Sequence, residues 1–148
     1  MAVQFEIRKN NLPRAPGALR DFAQQALAKI AFDIEASAKD NVTDMGAIDT
    51  GALKNSGYTS TPDSSTYPSA VSGAQGLNPD ANFAPEVRPA HALEVVIGFS
   101  AGYALYVDFG TAKMPGRPFF SQAVYGAKPT IDRLLGKELQ NMAEQLSR

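Results

Sequence analysis

An apolar stripe at helical spacing constrains this chain more than any other feature. Leu19, Phe22, Ala23, Ala26, Leu27, Ile30 and Ile34 recur every three to four residues, while Asp21, Gln25, Lys29 and Asp33 mostly fall elsewhere. The spacing predicts an amphipathic helix over Ala18 to about Asp40, with Pro16 suiting its start. Ala26, Ala31, Ala36 and Ala38 keep parts of it slim enough for close packing. A second stripe closes the chain: Ile131, Leu134, Leu135, Leu139, Met142 and Leu146. Between the stripes the period drops to two. Val3, Phe5 and Ile7 alternate with Gln4, Glu6 and Arg8, Ser56 to Thr61 is strand-like, and Leu93 to Gly98 (LEVVIG) is the strongest strand. Two helices that must each bury a face, with strands to receive them, give an α+β fold. Amphipathic N-terminal and C-terminal helices are expected on a small, mainly antiparallel sheet. A length of 148 residues suits a single domain, 1–148.

Punctuation between these elements is equally legible. Asp49 or Thr50, followed by Gly51, Ala52 and Leu53, is expected to cap a single helical turn with a side-chain oxygen. Residues 62–92 have another texture, dense in Pro, Ser, Gly, Asn and Ala, with no Lys or Arg before Arg88. They are expected to form a long extended arm joining two strands, mobile until a neighbour binds it. Ser100 suits the cap of a short helix in which Tyr103, Tyr106 and Val107 share a face, and Gly110 suits its end. Pro115-Gly116-Arg117-Pro118 reads as a turn, with Pro118 at the first position of another helix and Lys128-Pro129 interrupting it.

Charge and composition exclude several classes. The formal net charge is −1 with no acidic or basic block, which argues against a chain that wraps nucleic acid by neutralising phosphates. Arg8, Lys9, Arg14 and Arg20 form a mild basic cluster that reads most simply as solvated surface. There is no cysteine, hence no disulfide and no thiolate zinc site. The opening MAVQFEIRKN is too polar for a signal peptide and no apolar run approaches a membrane span, so a soluble, intracellularly made protein is expected.

Catalytic constellations are sparse. His91 is the single histidine, so a His-paired metal site within one chain is not expected. Gly98-Phe99-Ser100-Ala101-Gly102 spells G-x-S-x-G after a strand, but the chain is short for a hydrolase sheet and His91 lies upstream of the serine. Gly110-Thr111-Ala112-Lys113 lacks the glycine spacing of a phosphate loop. Asp49-Thr50-Gly51-Ala52 also looks like the active-site turn of retroviral-type aspartic proteases, with Asp49 as one of two aspartates sharing a proton. Against that remote alternative, Met45 to Ile48 is no apolar strand and the two helical stripes have no place in an almost all-β enzyme. For Asp49 the turn-forming role is preferred.

Three segments, in order, resemble one family: the long helix leading to DTGAL (Asp49 to Leu53) with Ser56 after it, VVIGFSAGYALYVDFGT (Val95 to Thr111), and MPGRPFF (Met114 to Phe120). Together they look like the tail-component, head–tail joining family of long-tailed bacteriophages. Its pattern is an Asp-Thr-Gly-x-Leu turn, a Val-Gly strand end, a Tyr-Ala-x-Tyr-Val-Glu-Phe-Gly-Thr block and an Arg-Pro-Phe helix start. Asp108 stands where that pattern has Glu, and the arm is longer than the family leads one to expect. The resemblance implies a non-enzymatic virion protein of the neck or upper tail, assembled in the host cytoplasm and needing no cofactor. It would form a homo-oligomeric ring, by family expectation of six copies, joining the connector or stopper protein to the tail tube or tail terminator protein. DNA would pass through the channel without sequence-specific binding, and no membrane is involved. The alternative within that setting is a tail terminator that caps tube growth. Ring subunits need heterologous contacts. Candidate interface residues are Tyr103, Tyr106, Phe109, Arg117 and Tyr67, the last within an arm from Tyr58 to Arg88. The same aromatics could instead fill the core, and Arg117 could either bridge subunits or serve its turn.

Overall fold

A computed structural model of the chain describes residues 1–6, 17–46 and 51–146. The alternating start becomes strand β1 (Ala2–Glu6), and LEVVIG becomes β3 (Glu94–Phe99), which it pairs antiparallel. Strand β2 (Gly57–Ser60) pairs antiparallel with the other edge of β3, giving the order β1-β3-β2. Side chains alternate across a strand. Val3 lies opposite Ile97 and Phe5 opposite Val95, so these four share one face, and Phe99 extends it. Helix α1 (Gly17–Asp44) covers that face with Leu27, Ile30, Ala31, Ile34, Ala38 and Val42. It runs four residues past the expected end because Val42, fully buried, continues the stripe. Gly46, at φ 63, then turns the chain in the left-handed conformation that glycine adopts without strain.

The reverse face of the sheet corrects the expectation for residues 62–92. They do join β2 to β3, but they are not extended throughout: Tyr67–Leu77 is helix α3, which packs on β2. Pro68 opens it, and its inward positions are Tyr67, Ala70, Val71 and Ala74, of which Ala74 is fully buried. That short spacing is diluted by serines and glycines of modest helix propensity, which give the segment the texture of a loop. Several of its side chains also turn back onto the fold. Tyr67 donates its hydroxyl to the Ala84 carbonyl at 2.7 Å and stands edge-on to Tyr58, ring centroids 5.1 Å apart. The Val87 amide donates to the Tyr58 hydroxyl at 3.1 Å, and Ser60 donates to Glu86 at 2.9 Å. The return path pairs beyond the end of β3, with the Ala84 amide on the Ser100 carbonyl and the Gly102 amide on the Asn82 carbonyl. The Tyr58 ring lies so close over Gly98 that a Cβ there would sit 2.7 Å from it. With both faces covered, every residue of β3 is buried, which explains its unbroken apolar run.

Two polar residues inside this arrangement are fully engaged. Glu35, turned from α1 toward β2, accepts from Lys39 at 2.6 Å and from the Thr59 hydroxyl at 2.5 Å. Ser100 is buried and is not the expected cap, because its amide and hydroxyl both donate to the Ser56 carbonyl, at 3.0 and 3.3 Å. Helix α4 (Ala104–Phe109) therefore starts from Tyr103 with no side-chain cap. Gly110 ends it, as expected, at φ 82; a Cβ there would lie 2.5 Å from the Gly116 nitrogen.

Beyond Gly110 the structure adds a small hairpin, β4 (Gly110–Thr111) against β5 (Met114–Pro115). Helix α5 (Phe119–Arg133) follows, with Pro118 at its cap position rather than inside its first turn. Lys128-Pro129 does not interrupt it. Phe119, Phe120 and Ala123 are buried, and Val124, Ala127 and Ile131 pack on the same core, so tertiary packing carries the helix through the proline. That burial outweighs the roughly 3 kcal/mol a mid-helix proline costs. A π-type turn at Leu134–Glu138 leads into α6 (Leu139–Leu146). Ile131 and Leu134 of the second stripe pack on the core; the side chains of Leu135, Leu139, Met142 and Leu146 lie outside the described residues. The architecture is α+β. Among the described residues no helix is long and apolar enough to cross a membrane.

Candidate functional site

The segment that carries the family resemblance folds around one residue the motif reading passed over as a simple replacement. Asp108, on the inner side of α4, is only 2% exposed. One carboxylate oxygen accepts from the backbone amides of Phe120 and Ser121 at 2.9 and 3.1 Å, and the other accepts from the Ser121 hydroxyl. Asp108 thus caps α5 from a different helix. The free amides of a first helical turn, and the positive end of the helix dipole, are both satisfied by this carboxylate. Caps are read from the residues next to a helix start. One donated from ten or more positions upstream leaves no local signal.

Fixing α4 on α5 by its inner side decides what its outer side shows. Tyr106 is 57% exposed and Phe109 68% exposed; Leu105 beside them and Met114 on the hairpin are exposed as well. Tyr125, 76% exposed, lies one turn beyond Ser121 on the α4 side of α5. Tyr103 differs, being half-buried and packed against the core. The three aromatics of the Tyr-Ala…Phe-Gly-Thr block therefore divide, one inward and two outward. Leu105, Met114 and Tyr125 were not singled out from sequence, since nothing in a helical or turn pattern marks an apolar residue as outward-facing.

The other predicted residues fall as follows. Arg117 donates from its guanidinium to the Gly46 carbonyl at 2.8 Å and from its amide to the Val107 carbonyl at 2.7 Å, tying the turn to the end of α1. Tyr67 points inward, onto Tyr58 and Ala84. Asp49 and Thr50 lie outside the described residues. Gly51, at φ 84, takes the cap position of the single turn α2 (Ala52–Asn55), and no side-chain cap bonds there. His91 is exposed. The G-x-S-x-G serine is enclosed rather than presented at a turn, its hydroxyl committed to Ser56. Among the described residues no group of three His, Cys, Asp or Glu side chains could hold a metal ion.

A second surface feature adjoins α5. Helices α1 and α5 leave an open groove of about 410 Å³ between them, lined by aliphatic positions such as Ile30, Ile34 and Ala127 and, in equal number, by polar ones such as Asp33, Asn41 and Gln122. Comparison with protein-family models, with curated proteins and with solved structures gives no match.

Proposed function

We propose that the chain is a structural subunit of the neck or upper tail of a long-tailed bacteriophage, forming a ring that joins the head connector to the tail tube. The observation that carries this reading is the outward apolar row of Leu105, Tyr106 and Phe109, which lies in the segment that resembles the family. A chain of this size has enough core elsewhere to bury such residues. Leaving them in water forgoes about 2 kcal/mol per large apolar side chain, and contiguous exposed apolar groups mark interaction surfaces. The enclosed Ser100 hydroxyl and the structural use of Asp108 and Glu35 leave these groups engaged in holding the fold together, which suits a protein that acts by assembly. Residues 67–92 join the sheet's own covering layer while still exposing Leu77 and Val87; the leading neighbour contact is placed on α4 and its hairpin, where the exposed aromatics stand together.

Native mass measurement and negative-stain imaging of the purified protein test the reading. A monodisperse ring is the expected result. A second test is genetic: loss of the gene should leave filled heads and finished tails unjoined. Particles that complete with normal necks in its absence would remove the assignment.

A further inference from the structure

The apolar row on α4 and the α1–α5 groove lie on different flanks of the same helix. Asp108 holds α4 against the Ser121 side of α5, whereas Gln122, Gly126 and Thr130 face the groove. A copy's own row therefore points away from its own groove. Half of the groove's lining is aliphatic or glycine and half is polar, and a Cβ built on Gly126 meets nothing within 4 Å. It can receive a large side chain; the row supplies one in Phe109.

Charge divides the same way. From Phe109 to Ala127 the chain carries Lys113 and Arg117 and no acidic residue. Arg117 already serves the Gly46 carbonyl, which leaves Lys113, exposed at the hairpin tip, as the cation with reach. The charged residue that lines the groove is Asp33, and the exposed Asp40 and Asp44 follow it along the same side of α1. Lys29 lies 3.4 Å from Asp33, but both side chains are largely in water, where such a pair contributes little and yields readily.

We propose that the α4 row of one copy, led by Phe109, seats in the α1–α5 groove of a second copy, with Lys113 brought beside Asp33. The inference deepens the ring reading and rests on it, since it names the two faces through which copies meet. The contact is heterologous: each copy offers its row to one neighbour and its groove to another, the geometry that closes rings.

The absence of cysteine from the chain gives a clean test. Ala112→Cys and Gly126→Cys introduce the only thiols, at an exposed hairpin site that leaves Phe109 in place and at one with open space. Oxidation of the double variant is expected to give a ladder of covalent multimers. An equal mixture of the two single variants should give dimer well above that of either variant alone. Lys113→Glu should weaken assembly about tenfold, the discrimination one interfacial charge pair commonly provides, and Asp33→Lys in the same chain should restore it. If the wild-type protein forms rings but the 112–126 cross-link does not appear, the docking is wrong and the ring reading survives. If the wild type stays monomeric at high concentration and no cross-link forms, both fall.

Discussion

Phe119 and Phe120 are fully buried against Phe99, at ring-centroid distances of 5.0 and 5.4 Å, while Phe109, ten residues earlier, stands in solvent. The two groups share residue type and a short stretch of chain, yet one completes the core and the other is left over. The difference comes from Asp108. By capping α5 it fixes the rotation of α4, so that Ala104 and Asp108 face inward and Leu105, Tyr106 and Phe109 face out. Burial here is decided by a polar contact, and hydrophobicity alone would have assigned all these aromatics to the core.

The comparison can be broken most sharply by truncating one member of each group. Phe120→Ala should cost about 4 kcal/mol in urea unfolding, because a large buried side chain is replaced by a cavity. Phe109→Ser, measured on dilute protein, should stay within about 0.5 kcal/mol of wild type. A large loss from Phe109→Ser would mean that the outer row belongs to the fold after all.

Asp108→Ala comes next. It removes the acceptor from two amides and one hydroxyl at the start of α5, and should cost about 2–3 kcal/mol. It should also loosen α4, so that proteolysis near Leu105 to Phe109 speeds up while the sheet retains its amide-exchange protection. Unchanged protease sensitivity would show that α4 holds its orientation without the carboxylate.

The smallest effect concerns the opposite face of the sheet. Burial pushes the Tyr58 phenol above its ordinary pKa, the Val87 amide draws it partly back, and the Glu86 and Tyr67 charges raise it. The folded state therefore holds this proton more tightly than the unfolded chain. Stability from this source is complete below about pH 10 and is lost as pH climbs from there toward the raised folded value. Tyr58→Phe should cost about 1 kcal/mol at neutral pH, through the Val87 amide it orphans. It should also flatten the decline in unfolding midpoint above about pH 10. An equally steep decline in the variant would place the alkaline sensitivity elsewhere.

Sequence spacing alone located α1, β1, β2, β3 and the left-handed glycine at Gly110, because each rests on a local rule: a period of 3.6 or 2.0, or a backbone conformation that only glycine takes easily. What failed was non-local. Helix α3 was hidden because serines and glycines dilute its short inward face of Tyr67, Ala70, Val71 and Ala74; Pro129 did not end α5 because the core on either side of it holds the helix; and Ser100 answers to Ser56 rather than to the helix after it.

The chain by itself determined that two amphipathic helices and three short strands would form an α+β structure, since periodicity is written residue by residue. Only the tertiary structure decided which apolar residues stay outside. That choice depends on how α4 is turned against α5, and a carboxylate reaching across twelve positions of sequence sets the turn. No local pattern can carry such information, because the contact exists only once both helices are in place.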